Sequence, residues 1–157
     1  MVSPTAATAT NYKRTKERAR AHAAGESFSG RNIGPIPPIE NPARRIAAMA
    51  SLAVFCKTYQ GETFYLPWSD DHLKVIAKME RAVILGELFA IAMPRGTGKT
   101  SLCEAAALWA ILTGRRCFVA LIGSDDESAR DMLESIKTEL ETNDLLAADF
   151  PEVCYPI

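Results

Sequence analysis

A chain of 157 residues has room for one domain of ordinary size and too little for a complete motor enzyme. A formal net charge of −1 and a hydrophobic content of 48% exclude a protein held to nucleic acid or membrane by bulk charge. No apolar run approaches the roughly 20 residues that cross a bilayer, and no apolar stretch follows the first residues as in a secretory leader, so a cytoplasmic protein with no membrane partner is expected. Cys56, Cys103, Cys117 and Cys154 form no C-x-x-C pair and have no histidine at metal-ligand spacing; they read as reduced, small apolar residues.

The chain opens on a polar segment. Residues 1 to about 31 are rich in Ala, Thr, Ser and basic groups and carry no apolar stripe, which predicts disorder, or at most a short solvated helix around Asn11 to Ala24. Lys13, Arg14, Lys16, Arg18 and Arg20 stand there against a single Glu17. Contact with DNA phosphates is one reading of these charges, but KRTKERAR interleaves no aromatic residue for stacking, and a solvated tail is the stronger one. NIGPIPPIENP, residues 32–42, holds four prolines and one glycine and reads as a linker. Positions 1–40 are thus a disordered basic tail and Pro-rich linker ahead of a domain over 41–157.

Ordered structure is expected from Asn41, which can cap a helix with Pro42 in its first turn. PARRIAAMASLAVFCKTY, residues 42–59, carries Ile46, Met49, Ala50, Ala53 and Val54 at helical spacing. After a loop with Gly61 and Pro67, WSDDHLKVIAKMERAVILGE starts a further helix at Ser69. Asp70 and Asp71 complement its dipole, and Gly86 stops it. These helices form a lead-in over 41–86.

Then the period changes. LFAIAM, residues 88–93, is short, continuously apolar and bounded by Gly86 on one side and Pro94 with Gly96 on the other, which predicts a strand buried on both faces. TSLCEAAALWAIL from Thr100 is an Ala- and Leu-rich helix ending at Gly114. RCFVALIG, residues 116–123, repeats the buried-strand pattern, and SDDESARDMLESIKTELE is a capped helix after it. The order over 87–142 is strand, loop, helix, strand, helix: an α/β fold with a parallel sheet.

The loop between the first strand and its helix is AMPRGTGKTSL, residues 92–102. A P-loop needs successive backbone N–H groups converging on phosphates, a helix N-terminus behind them, a mobile cation and a hydroxyl for Mg²⁺. Gly96, Gly98, Lys99 and Thr100 meet those demands in sequence. The pattern G-x-x-x-x-G-K-[ST] asks for a glycine where Met93 stands, but Pro94 fixes φ and has no N–H to donate, so the chain can turn without one. A glycine turn followed by a chance Lys-Thr is the bland alternative, and it requires strand, glycines, lysine, hydroxyl and helix to coincide by accident.

This segment resembles the Walker A loop of bacteriophage terminase large subunits, the ATP-driven motors of DNA packaging, whose loops often run Pro-Arg-Gly-x-Gly-Lys-Ser/Thr without the leading glycine. The similarity covers about Asn41 to Ile157, including FYLPWSDDH upstream, and concerns the N-terminal part of the ATPase only. It implies a partial RecA-like P-loop NTPase binding ATP and Mg²⁺ through Pro94, Gly96, Thr97, Gly98, Lys99, Thr100 and Ser101. Lys99 would sit on the β- and γ-phosphates and Thr100 on the metal, with Arg95 as a phosphate-facing charge stabiliser. It also implies double-stranded DNA, portal and small terminase subunit as partners, in the host cytoplasm if the chain is phage-encoded. Helicase-type P-loop ATPases share most of the loop.

Trp68 is a candidate to stack on the base, or equally a hydrophobic staple at a helix entrance; the position after it holds Ser69, where such enzymes usually have an adenine-binding glutamine. Asp125, Asp126 and Glu127 follow an apolar run as a Walker B pair would, yet they come after Gly123 and Ser124, where they cap the next helix. Neither a second apolar run ending in Asp-Glu nor a nuclease carboxylate cluster is present. A fragment, a split gene product, or a catalytically incomplete nucleotide-binding module acting with a partner chain is therefore the expected alternative.

Overall fold

The structure, a computed structural model, describes residues 35–154. The tail expected to be disordered lies in residues 1–34, outside the described residues, as do residues 155–157. Pro35 to Glu40 have neither helix nor strand and are exposed throughout.

Seven helices follow among the described residues: α1 Pro42–Ala50, α2 Leu52–Tyr59, α3 Asp70–Leu85, α4 Lys99–Leu112, α5 Asp126–Thr142, α6 Asp144–Asp149 and α7 Pro151–Cys154. Local chemistry sets their ends. The Asn41 side chain accepts from the Arg44 N–H at 2.9 Å, with Pro42 at the first helical position. Ser69, Asp125 and Asn143 cap α3, α5 and α6 in the same way. Gly86 closes α3 in the left-handed conformation, φ +77°. The apolar stretch over 42–59 breaks into two helices because Ser51 is extended, φ −146° and ψ 129°. Glu80 of α3 accepts from the Leu52 N–H at 2.6 Å and from the Ser51 hydroxyl at 3.2 Å, so a carboxylate from another helix serves the α2 start.

The expected α/β fold with its parallel sheet does not form: the described residues contain no strand, and the architecture is all-helical. Residues 88–93 and 116–123, expected to be strands, run without regular structure; among the described residues the one backbone–backbone hydrogen bond that involves either runs from the Arg116 N–H to the Ala110 carbonyl at the end of α4, and none joins the two runs. Nor are they buried on both faces. Ile91, Val119 and Leu121 pack on the helical core, while Leu88 is 97% exposed and Ile122 91%. A continuous apolar run reports a tendency to be buried and carries no information about pairing. Here one side of each run is satisfied by α3 and α4, where both runs line a cleft of about 460 Å³ beside Met79 and Ala106. Two such runs without further neighbours make at best a marginal sheet.

Helix α4 occupies the centre. Ala105 to Ala110 are all buried, which is why its sequence is apolar around the whole circumference, and α2, α3 and α5 pack against it. The Trp109 indole N–H donates to the Ala48 carbonyl at 2.9 Å, so the largest fully buried side chain leaves no polar atom unmet. Tyr59 packs on Phe55 and Phe150 with ring centroids 5.2 and 5.7 Å away. Asp149 is fully buried. It accepts from Arg44 at 2.9 Å, from the Tyr59 hydroxyl at 2.7 Å and from the Asn41 N–H at 3.2 Å, tying α6 to α1 and α2. No helix of the described residues is long and apolar enough to cross a membrane.

Candidate functional site

The loop that carries Gly96 to Thr100 joins the 87–93 run to α4. Gly96 and Gly98 have φ of +79° and +74°, conformations that cost a side-chain-bearing residue roughly 1 kcal/mol or more. Gly98 is the N-cap of α4 and offers no side chain, and the first backbone bond of the helix runs from the Leu102 N–H to the Gly98 carbonyl at 2.9 Å. The N–H groups of Lys99, Thr100 and Ser101 therefore have no intrahelical acceptor. Left-handed glycines and an uncapped helix start together leave backbone donors without a side-chain cap at the positive end of the helix dipole.

Lys99 turns back across this loop. Its ammonium donates to the Met93 carbonyl at 2.6 Å and to the Pro94 carbonyl at 2.8 Å. The Thr97 hydroxyl also donates to the Pro94 carbonyl, at 2.8 Å. Met93, standing where a glycine is usual, thus contributes a carbonyl that the lysine covers, and Pro94, which has no N–H, contributes only an acceptor. Arg95 is exposed on the outer turn of the loop.

A cleft of about 340 Å³ opens between this loop and the segment ahead of α3, lined by Phe64, Trp68 and His72 on one side and by Gly96, Thr97 and Ser101 on the other. No carboxylate lines it. Trp68 is half-buried, with Phe64 at 5.3 Å and His72 at 5.9 Å between ring centroids. The Lys57 ammonium lies 5.0 Å from the Trp68 ring centre and donates to the Phe64 and Leu66 carbonyls, which pins the segment in place. The structure therefore brings Trp68 together with Gly96, Thr97, Gly98 and Ser101. Thr100 is exposed and lines a different cleft, of about 430 Å³, together with Glu104 and Asp131. Burial raises the Glu104 carboxyl above its ordinary value, partly offset by a hydrogen bond from the Ser135 hydroxyl at 3.0 Å.

The carboxylates after the second apolar run do not face the loop cleft. Asp125 accepts from the Ser128 N–H at 2.7 Å as the α5 cap, and that bond holds its carboxyl below the ordinary range; Asp126 and Glu127 are exposed in the first turn. No group of three or more His, Cys, Asp or Glu among the described residues is arranged to hold a metal ion.

Three residues of this region escape a reading of motifs alone. His72 stands at the third position of α3, where a capping box would carry Glu or Gln, and this was the available signal. Glu104 lies one turn after Thr100 on the same helix, a spacing visible in sequence. Lys57 had no local signal, because its partners are brought to it by the loop. Compared with protein-family models, curated proteins and solved structures, the chain matches none.

Proposed function

We propose that the chain binds Mg-ATP at Gly96 to Thr100, as the ATP-binding portion of a DNA-packaging ATPase similar to phage terminase large subunits. The observation that carries this reading is the glycine loop at the α4 start: left-handed Gly96 and Gly98, an uncapped α4 and the Lys99 ammonium folded back onto the Met93 and Pro94 carbonyls of the same loop. A Cβ built on either glycine would meet no atom within 4 Å, so the space over the loop is open to a bulky anion. Backbone N–H groups would hold phosphate oxygens, and Lys99 would add a full charge at the β- and γ-positions.

Trp68 forms an apolar wall of the adjoining cleft, suited to a flat heterocycle. Thr100 is the residue that would hold Mg²⁺, whose charge screens the phosphate oxygens, and Glu104 and Asp131 share its cleft. Arg95, exposed beside the glycines, is free to swing towards a phosphate. The resemblance of the loop extends the reading to double-stranded DNA, portal and small terminase subunit as partners.

A second reading, a nucleotide-binding module whose turnover depends on groups from a partner chain, is favoured by the capping role of Asp125, which removes the nearest Walker B candidate from the site.

Calorimetric titration with Mg-ATP tests the first step. Weak binding by the wild type, reduced at least several-fold in Lys99→Ala, is expected; equal affinity for both proteins would sink the proposal.

A further inference from the structure

We infer that His72 is a positioning residue for the phosphate loop, acting through the Thr97 carbonyl to aim the Gly98 N–H into the anion site. This rests on the nucleotide-binding reading of that loop. Two contacts define the geometry. The His72 Nε2 lies 3.1 Å from the Thr97 carbonyl oxygen, and its Nδ1 lies 2.6 Å from the Ser69 hydroxyl.

The tautomer follows from these partners. A carbonyl oxygen can only accept, so Nε2 carries the proton and donates to Thr97. Nδ1 is then an acceptor for the Ser69 hydroxyl. The same hydroxyl oxygen accepts the His72 backbone N–H at 3.3 Å as the α3 cap, so each polar atom in the chain has one consistent role. The imidazole is fixed at both ends, by the helix cap on one side and the loop on the other.

What the bond does to the loop is a matter of peptide geometry. In a trans peptide the C=O and the following N–H point in opposite directions within one plane. Holding the Thr97 carbonyl towards α3 therefore sends the Gly98 N–H away from α3. Gly98 is a residue of left-handed φ, the type whose flanking peptides flip most readily. His72 adds a restraint on this peptide from outside the loop. It also touches Trp68, at 5.9 Å between rings, and so connects the aromatic wall of the cleft with the phosphate side.

The experiment compares Mg-ATP with Mg-tripolyphosphate, which lacks base and sugar, by calorimetry on wild type, His72→Leu, His72→Gln, Ser69→Gly and the Ser69→Gly/His72→Leu double variant. His72→Leu is expected to weaken tripolyphosphate binding by about fivefold, the effect of one modest hydrogen bond, and ATP binding by the same factor. His72→Gln, which keeps an amide donor, should recover most of the loss. Ser69→Gly leaves a tolerated cap but frees the imidazole, and should give a smaller loss that adds nothing in the double variant.

Loss of ATP affinity with unchanged tripolyphosphate affinity in His72→Leu would make His72 a base contact and overturn the inference, as would full additivity in the double variant. If His72→Leu does not fold, wild-type-like tripolyphosphate binding by Ser69→Gly together with a loss in His72→Gln overturns it as well. Failure of the underlying reading is recognised separately, by tripolyphosphate binding that Lys99→Ala leaves intact.

Discussion

Arg44 and Asp149 are joined by two side-by-side hydrogen bonds, Nε to Oδ2 and Nη2 to Oδ1, across 105 residues of chain. The carboxylate is fully buried and also receives the Tyr59 hydroxyl and the Asn41 N–H, so one side chain collects donors from the α1 start, α1 and α2. Removing it leaves several donors without an acceptor. Asp149→Ala should lower unfolding stability by about 3 kcal/mol, read from urea denaturation, because a buried group with charged and neutral partners is costly to delete on one side only.

The same network fixes a pH dependence. Burial acts to raise the Asp149 carboxyl, and the donors from Arg44, Tyr59 and Asn41 outweigh it, so the group lies below its ordinary value. A folded pKa below the unfolded one gives stability that is fully present above the unfolded value, about 4, and is lost as pH falls through the folded one. Thermal unfolding of the wild type should therefore fall off below about pH 4. In Asp149→Asn the acid limb should be flatter, with a lower plateau at neutral pH. Parallel acid limbs in the two proteins would assign the acid loss to other carboxylates.

Thiol chemistry gives an independent reading of the packing. Cys56 is buried, and burial pushes its thiol up to about 12; burial also raises Cys154. Cys103 reaches solvent at one edge, yet the packing around its sulfur and the nearby Glu104 raise it too. Cys117 is exposed. Alkylation at pH 8 followed by peptide mass mapping should label Cys117 first, Cys103 more slowly, and Cys56 and Cys154 only when the protein unfolds. Early labelling of Cys56 would contradict the placement of α2 in the core.

Gly98→Ala separates the backbone from the lysine. The left-handed conformation at Gly98 makes an alanine there unfavourable by roughly 1 kcal/mol, with no steric clash added, since the Cβ meets open space. The variant should stay folded and lose Mg-ATP affinity at least as strongly as Lys99→Ala. Unchanged affinity would mean that the N–H groups beside Gly98 do not reach the phosphates.

Hydrolysis by the isolated chain should be close to absent. Asp126→Asn and Glu127→Gln should change neither that rate nor the fold, since both side chains sit exposed at the α5 start, behind the capping Asp125. Turnover of several per second, abolished by either substitution, would restore those carboxylates as a Walker B site.

Which parts of this molecule could be read from its residues follows a physical division. Caps are local: Asn41, Ser69 and Gly86 act on backbone three or four residues away, and each sits where its residue type predicts. The left-handed turns at Gly96 and Gly98 are local as well. The strands expected from LFAIAM and RCFVALIG do not pair, because each run states only that one of its sides wants to leave water, which α3 and α4 satisfy without a ladder. The break at Ser51 has no local signal, because the residue that serves the α2 start, Glu80, lies 28 positions from Leu52. Asp149, a lone aspartate closing the apolar stretch LLAAD, gives no sign of its partners, because they come from the far end of the domain. The two faces of the candidate site divide in the same way. The glycines and Lys99 announce themselves, whereas the His72 contact exists only once α3 is docked beside the loop.

The resting position of Lys99 has a kinetic and thermodynamic consequence. Its ammonium already holds the carbonyls of Met93 and Pro94, so on the proposed reading an arriving phosphate does not meet a free cation; it meets an intramolecular competitor tethered a few residues away. Measured affinity then reports the difference between two sets of bonds to one nitrogen, and the dissociation of the lysine from its carbonyls becomes a step that incoming anion must wait for or displace. Salt that screens the long-range attraction of the anion leaves the short contacts to the two carbonyls nearly untouched. Raising ionic strength should consequently slow association more than it speeds release, and weaken the binding of multiply charged ligands more than that of simple anions.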